Sequence, residues 1–397
     1  MRAVPRWLAL LVFGLGCDDN ESPNAGPGDD ESPLYAVSSN SYSAGFTGET
    51  SQLWLVDELS DRTLAPEDAT ELAGGATLWG IPGSGFLYVI SGEDLSLTKY
   101  ELEGGELKEV DRLGLSSQGI STLIGENLVF DGPKRAFLFE LQSAQALIID
   151  LEAMQITGSI DLSDTAVDER SVLAGPGFRK HGDHWVNTVY GTSATYDRVA
   201  QESKLLVLDP KAGTVAVKDA PCGGLGFSVA APNGDLYFAS DPFVGAVHSL
   251  DESAAPAPCL ARLPHDSDEL DAETVALNDV TGGVTGGVVG GPDGSAFLRV
   301  LDEAAYSPEE GAGAIELYTA AAWQTWRIEL ADPSNASQVE RALQTGNIKV
   351  FEVNDLTYEN ESTADLVNTR LVPTSKDASE AAALEMPGVT WGVVRLR

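Results

Sequence analysis

From Leu34 onward, apolar residues come in short runs, and Gly, Pro, Asn or Asp punctuates the gaps between them. Runs such as Phe86–Ser91, Leu97–Leu102, Ala136–Leu141, Ala146–Leu151, Leu205–Asp209, Leu236–Ser240, Ala296–Leu301 and Thr390–Val394 have the length and residue types of strands. Pro232-Asn-Gly-Asp235 and Pro292-Asp-Gly-Ser295 supply Asn-Gly and Asp-Gly between such runs, and those pairs reach the positive φ of a tight hairpin. Glu103-Gly-Gly105 and Lys211-Ala-Gly213 separate runs in the same way. Long amphipathic helical periodicity is absent. The pattern predicts antiparallel meanders and an all-β chain.

Spacing then selects an architecture. The order of strand, Asn/Asp-Gly turn, aromatic strand, strand ending in an acid, turn and strand recurs every ~40–50 residues, the period of propeller blades. Seven units result, over 34–73, 76–115, 120–162, 171–220, 225–264, 273–343 and 347–397, with the sixth enlarged near Ala304–Ala321. A four-stranded sheet with two apolar faces needs neighbours to cover both, and a ring of sheets needs its ends joined. The terminal run Val389–Leu396 suits that closure with the first blade. A pair of β-sandwiches is the alternative.

Composition supports a large packed body. The 397 residues are 43% apolar, enough for a substantial core. They also carry 24 Lys and Arg against 61 Asp and Glu, a formal charge of −37. Such a field repels phosphate backbones and anionic headgroups, so nucleic acid is excluded as a partner. An envelope protein or a small ligand is left as the expected partner.

The N-terminus carries the most specific motif. Arg2 and Arg6 precede the short apolar run Trp7–Leu15, and Gly16-Cys17 closes it. The run is too short for a permanent membrane span and reads as a cleaved signal. A small residue before cysteine resembles the lipobox of bacterial lipoproteins, although Gly14 stands where that motif usually has Leu. Residues 1–16 are expected to be the signal, with Cys17 as the acylated first residue. Asp18–Pro33, rich in Pro, Gly and acids, forms a flexible tether, and 34–397 is a single propeller domain. Membrane contact would run only through the lipid. With Cys17 so assigned, Cys222 and Cys259 are expected to pair, because exported chains oxidise their cysteines.

Catalytic motifs are few. Gly282–Gly291 is glycine-rich but lacks the Lys-Ser/Thr ending of a phosphate loop, so it is expected to be an inner strand approached closely by other backbones. His181-Gly-Asp-His184 puts two imidazoles near a carboxylate, but a zinc site needs more, and a loop with ordinary polar roles is expected. Asp266–Glu273 lacks EF-hand spacing. Gly-x-Ser-x-Gly does not occur. Trp323 and Trp326 are expected to pack on opposite faces of one strand. No cofactor and no resident metal are implied.

Leu34–Ser39, the Pro221-Cys222 to Cys259 pair, Asn278–Gly283 and Trp323–Leu330 together resemble a group of propeller lipoproteins whose members occur beside catecholate, myxochelin-type siderophore gene clusters. The resemblance implies a cell-envelope binding or scaffold protein connected with ferric-siderophore uptake. A ferric tris-catecholate is itself anionic, so direct capture would need a local cationic pocket. Arg179, Lys180, His181 and His184 form the compact basic cluster available, with Arg170 and Arg198 near in sequence. They are expected on a loop lining the blade 4 side of the central channel. A propeller enzyme of lactonase or quinoprotein type is the alternative function.

Overall fold

A computed structural model describes residues 32–43, 47–120, 128–166, 171–175, 177–306, 312–353, 356–363, 365–374 and 383–397. Cys17, the signal, most of the tether and Arg170 lie outside the described residues.

The body Pro33–Arg397 is a ring of seven antiparallel sheets, a seven-bladed β-propeller. Blade 2 shows the plan: Ala76–Trp79 lies innermost, followed outward by Phe86–Ser91, Ser96–Glu103 and Glu106–Gly114. The hairpin joining the last two turns on Gly104 and Gly105 at φ 61° and 88°, values that only glycine adopts without strain. Blade 3 repeats the plan with Leu128–Phe130 innermost, and blade 6 with Thr285–Gly290.

The ring is closed by the C-terminus. Val389–Arg395 forms the innermost strand of blade 1, pairing with Tyr35–Ser43 in a register that sets Ala36 opposite Val394 and Ser38 opposite Gly392. This pairing bears out the predicted closure and excludes the paired sandwiches. Gly392 is needed at the seam, since a Cβ there would stand 2.5 Å from Leu78 Cβ in blade 2.

The cores lie between blades. Leu97, Leu138 and Ile149 join blades 2 and 3, Phe137 and Leu206 join 3 and 4, and Leu205 and Phe238 join 4 and 5. Between blades 6 and 7, buried charge contributes instead: Arg299, 1% exposed, pairs with Glu359, 0% exposed, and Arg341 stands beside them. Trp323 and Trp326 do face different clusters, as expected. Cys222 and Cys259 are bonded, with Cα atoms 6.6 Å apart. Closing that 37-residue separation is worth about 4 kcal/mol in the chain-entropy view.

Three boundaries differ from the sequence reading. Val275–Ala276 pairs with Cys259–Leu260 and so completes blade 5 rather than opening blade 6. The innermost strand of blade 4 is broken into Ser171–Ala174 and Arg179–His181, both paired with His184–Thr192. Blade 7 gains Arg62–Thr63 as a parallel edge.

Short helices interrupt the blades. α1, Pro242–Leu250, sits between the second and third strands of blade 5. Asp241 caps it by accepting from Phe243 N at 2.8 Å, with Pro242 at the first turn. α2, Leu277–Thr281, follows blade 5, and α3, Ala314–Thr319, lies in the blade 6 insertion. The apolar sides of α1 and α3 meet through Phe243, Val247, Leu317 and the fully buried Trp323.

Candidate functional site: the axial channel

The glycine-rich segment lets a helix approach the inner strand of blade 6. Thr285–Gly290 is the inner strand that its composition predicted, and a Cβ on Gly286 would fall 2.5 Å from Pro242 Cα. Bare backbone there lets the start of α1 pack against blade 6.

A cavity of about 320 Å³ is walled by Thr77–Gly80 of blade 2, Gly177–Arg179 of blade 4, Lys349–Glu352 of blade 7 and Trp391–Val394 of blade 1. Volumes of this order suit small ligands. Arg179 spans it. Its Nε donates to Ser228 Oγ at 3.2 Å and its Nη2 to the Ser228 carbonyl at 2.9 Å, both in blade 5. Its Nη1 donates to the Glu352 carboxylate of blade 7. The guanidinium is thus a crossbar between blades that do not touch along the ring. Lys349 Nζ lies 4.0 Å from the centre of the Trp391 ring. The indole nitrogens of Trp79 and Trp391 are buried with no acceptor among the described residues.

The cavity continues both ways. Trp79, Gly80, Gly177 and Phe178 are shared with a space of about 350 Å³ that runs toward Phe130 and Trp185. Lys349 and Trp391 are shared with an apolar space of about 500 Å³ at the N-terminal ends of the innermost strands of blades 7 and 1. Tyr190 ties blade 4 to the helical cap at this end. Its hydroxyl donates to Asp241 Oδ2 at 3.1 Å, and burial first, then Asp241, pushes its pKa well above the ordinary tyrosine range.

The basic cluster read from the sequence is dispersed by the fold. It forms a hairpin, not a loop, with His181 opposite His184 across a turn in which Gly182 has φ 58°. Arg179 lines the channel. Lys180 is exposed and is not among its walls. His181 is buried and its Nε2 pairs with the Ser267 carbonyl at 2.8 Å, while His184 Nδ1 stands 3.3 Å from Asp268 Oδ1. Both imidazoles therefore dock on the acidic segment Asp266–Glu273 of blade 5, away from the axis. Arg198 does not line the channel cavities either.

Trp79, Lys349, Glu352 and Trp391 were not singled out by sequence. One signal was available for three of them: the first strand of a repeat lines the axis, and Trp79, Lys349 and Glu352 lie on or next to first strands, whereas Trp391 lies on the closing strand.

Fold and site together define a seven-bladed propeller with an open, partly aromatic axial cavity. Among solved structures, the chain is similar to the periplasmic gluconolactonase PpgL of Pseudomonas aeruginosa, with TM-score 0.52 and 12% identity, covering 92% of this chain and 100% of that one. It is similar to a provisionally assigned 6-phosphogluconolactonase of Bacteroides fragilis, with TM-score 0.52 and 10% identity over 93% of this chain and 99% of the other. A functionally unknown protein from Desulfotomaculum acetoxidans gives TM-score 0.50 and 10% identity over 91% and 98%. At these identities the likeness shows the fold alone. No protein-family model matches the chain, and no curated protein matches it in sequence.

Proposed function

We propose that this protein is an exported, lipid-anchored propeller that binds a small organic anion in its axial cavity. Export is supported by the signal-like N-terminus and by the Cys222–Cys259 disulfide, which needs an oxidising compartment. Among the described residues, no helix is long and apolar enough to cross a membrane, and the anchor is assigned to Cys17. The observation that carries the binding reading is Arg179 held across the channel. In a chain of charge −37, a guanidinium anchored on Ser228 among aromatic walls offers an anion a local positive contact.

A carboxylate entering the cavity would compete with Glu352 for Arg179, whose anchoring on Ser228 keeps the fork in place. The siderophore connection is carried by the resemblance alone. A trianionic ferric tris-catecholate would meet Arg179, Lys349 and an opposing Glu352, so the channel favours a smaller, less charged anion.

The test is thermal-shift screening of the purified chain against sugar acids and small carboxylic acids, followed by calorimetry on the acids that stabilise it. Arg179→Ala should weaken binding by about tenfold or more, as loss of a charge-assisted bond implies, whereas exposed Lys180→Ala should leave it unchanged. Equal effects of the two substitutions would refute the assignment. Hydrolysis of δ-gluconolactone that disappears in Glu352→Gln would replace it with the lactonase reading.

A further inference from the structure

We infer that the anion bound at Arg179 carries an aromatic ring, held in the space of about 350 Å³ that opens from the Arg179 cavity. This rests on the anion reading given above and adds the chemistry of the body to which the acid group is attached.

The two spaces form one site. Trp79, Gly80, Gly177 and Phe178 wall both, and Phe178 immediately precedes Arg179 in the chain. The junction is clear because its backbone is bare. A Cβ on Gly177 would meet nothing within 4 Å, and the φ of 91° there reserves the position for glycine. A molecule with its acid group at Arg179 has this gap through which to extend its body.

The walls of the vestibule select that body. Trp79 of blade 2, Phe130 of blade 3, and Phe178 and Trp185 of blade 4 supply four half-buried rings, joined by Ile81 and Leu128. Among the described residues lining it, none is charged and none has a hydroxyl or amide side chain. A polyhydroxylated body would exchange water for hydrocarbon there. An aromatic ring covers the apolar wall and meets the wall rings in offset or edge-on pairs. That preference comes from the walls and requires no unmatched charge.

The wall rings are also held from behind. Phe130 rests on Tyr88 of blade 2, with ring centres 5.3 Å apart, and Phe178 rests on Phe139 of blade 3 at 4.2 Å. Tyr88 and Phe139 are 1% and 2% exposed. Each pair crosses a seam between neighbouring blades, so the core fixes these two rings before any guest arrives. Little side-chain freedom is then lost on binding.

The experiment is calorimetry on the full mature chain with three monocarboxylates: phenylacetate, its saturated counterpart cyclohexylacetate, and gluconate. Phenylacetate should bind about threefold to tenfold more tightly than cyclohexylacetate, the ratio set by aromatic pairing beyond area burial, and gluconate should bind more weakly than either. Phe178→Leu should remove the preference for the aromatic acid. Trp185→Leu, which leaves the Phe178–Phe139 stack in place, should reduce it, and neither substitution should alter gluconate binding. Arg179→Ala should weaken all three acids. If phenylacetate binds no tighter than cyclohexylacetate, or ignores both ring substitutions, while the acids still respond to Arg179→Ala, the ring assignment is overturned and the anion reading stands. Indifference of all three acids to Arg179→Ala would overturn the anion reading and this inference with it.

Discussion

The seam between blades 6 and 7 yields the sharpest test of how the ring is held. Arg299 donates from Nη2 to Glu359 and from Nη1 to Thr325 Oγ1 at 3.0 Å, and the side chains of the ion pair are 2% and 0% exposed. Arg341 stands 3.6 Å from the same carboxylate and 3.7 Å from Glu361. Burial depresses the Arg299 pKa against the pull of Glu359, and burial raises that of Glu361, so both charges are under dielectric stress. Replacing Arg299 by Met leaves Glu359 in the interior with only the longer Arg341 contact. Loss of one partner of such a pair costs about 3–5 kcal/mol, chiefly through the stranded charge. With an unfolding entropy of roughly 2.1 cal/mol/K per residue, the body Pro33–Arg397 melts with about 0.8 kcal/mol/K. Tm should therefore fall by about 4–6 °C in scanning calorimetry. The pair Arg299→Met with Glu359→Leu removes both charges and should fall within about 1 kcal/mol of the parent, giving a coupling energy above about 2 kcal/mol in urea unfolding. Additive losses in the double variant would show that the seam is held by packing and that the buried charges do not act as a unit.

Acid stability should report Asp235. Burial alone would raise this carboxyl, but the backbone N–H of His265, the Arg262 guanidinium and Asn233 outweigh it and hold the pKa at about 2, against an ordinary 3.8. A depressed folded value means stability present above pH 3.8 and lost as pH falls toward 2; with Arg262 partly solvated it amounts to about 1–2 kcal/mol, and Asp235→Asn should flatten the stability curve over that interval. Gly286→Ala should destabilise by about 1–3 kcal/mol, because the new methyl meets the Pro242 backbone 2.5 Å away; Gly114→Ala, with nothing within 4 Å, should stay within about 0.5 kcal/mol when both are unfolded in urea.

Local pattern was enough to specify the blades. Hairpin signals such as Pro292-Asp-Gly-Ser295 act within four residues, and Asp293 and Gly294 indeed sit at φ 56° and 78° between the paired strands. Gly282–Gly291 announced a close approach of backbones through its lack of side chains, though not that α1 was the element approaching. The helices were harder to read. α1 and α3 span nine and six residues, too short for a periodicity to emerge, and they persist because they bury apolar sides against each other.

By itself the sequence determined the repeat, the turns, the ring closure by Val389–Arg395 and the pairing of Cys222 with Cys259. It could not say which residues of one short segment would share a destination. Arg179 went to the axis, while His181 and His184 went to blade 5, because successive residues of a paired hairpin are directed by strand register and by the blade packed alongside. The channel is assembled from innermost strands far apart in the chain, and Trp79, Glu352 and Trp391 meet only once the ring has closed. That convergence belongs to tertiary structure, since no local interaction encodes the distance across a ring.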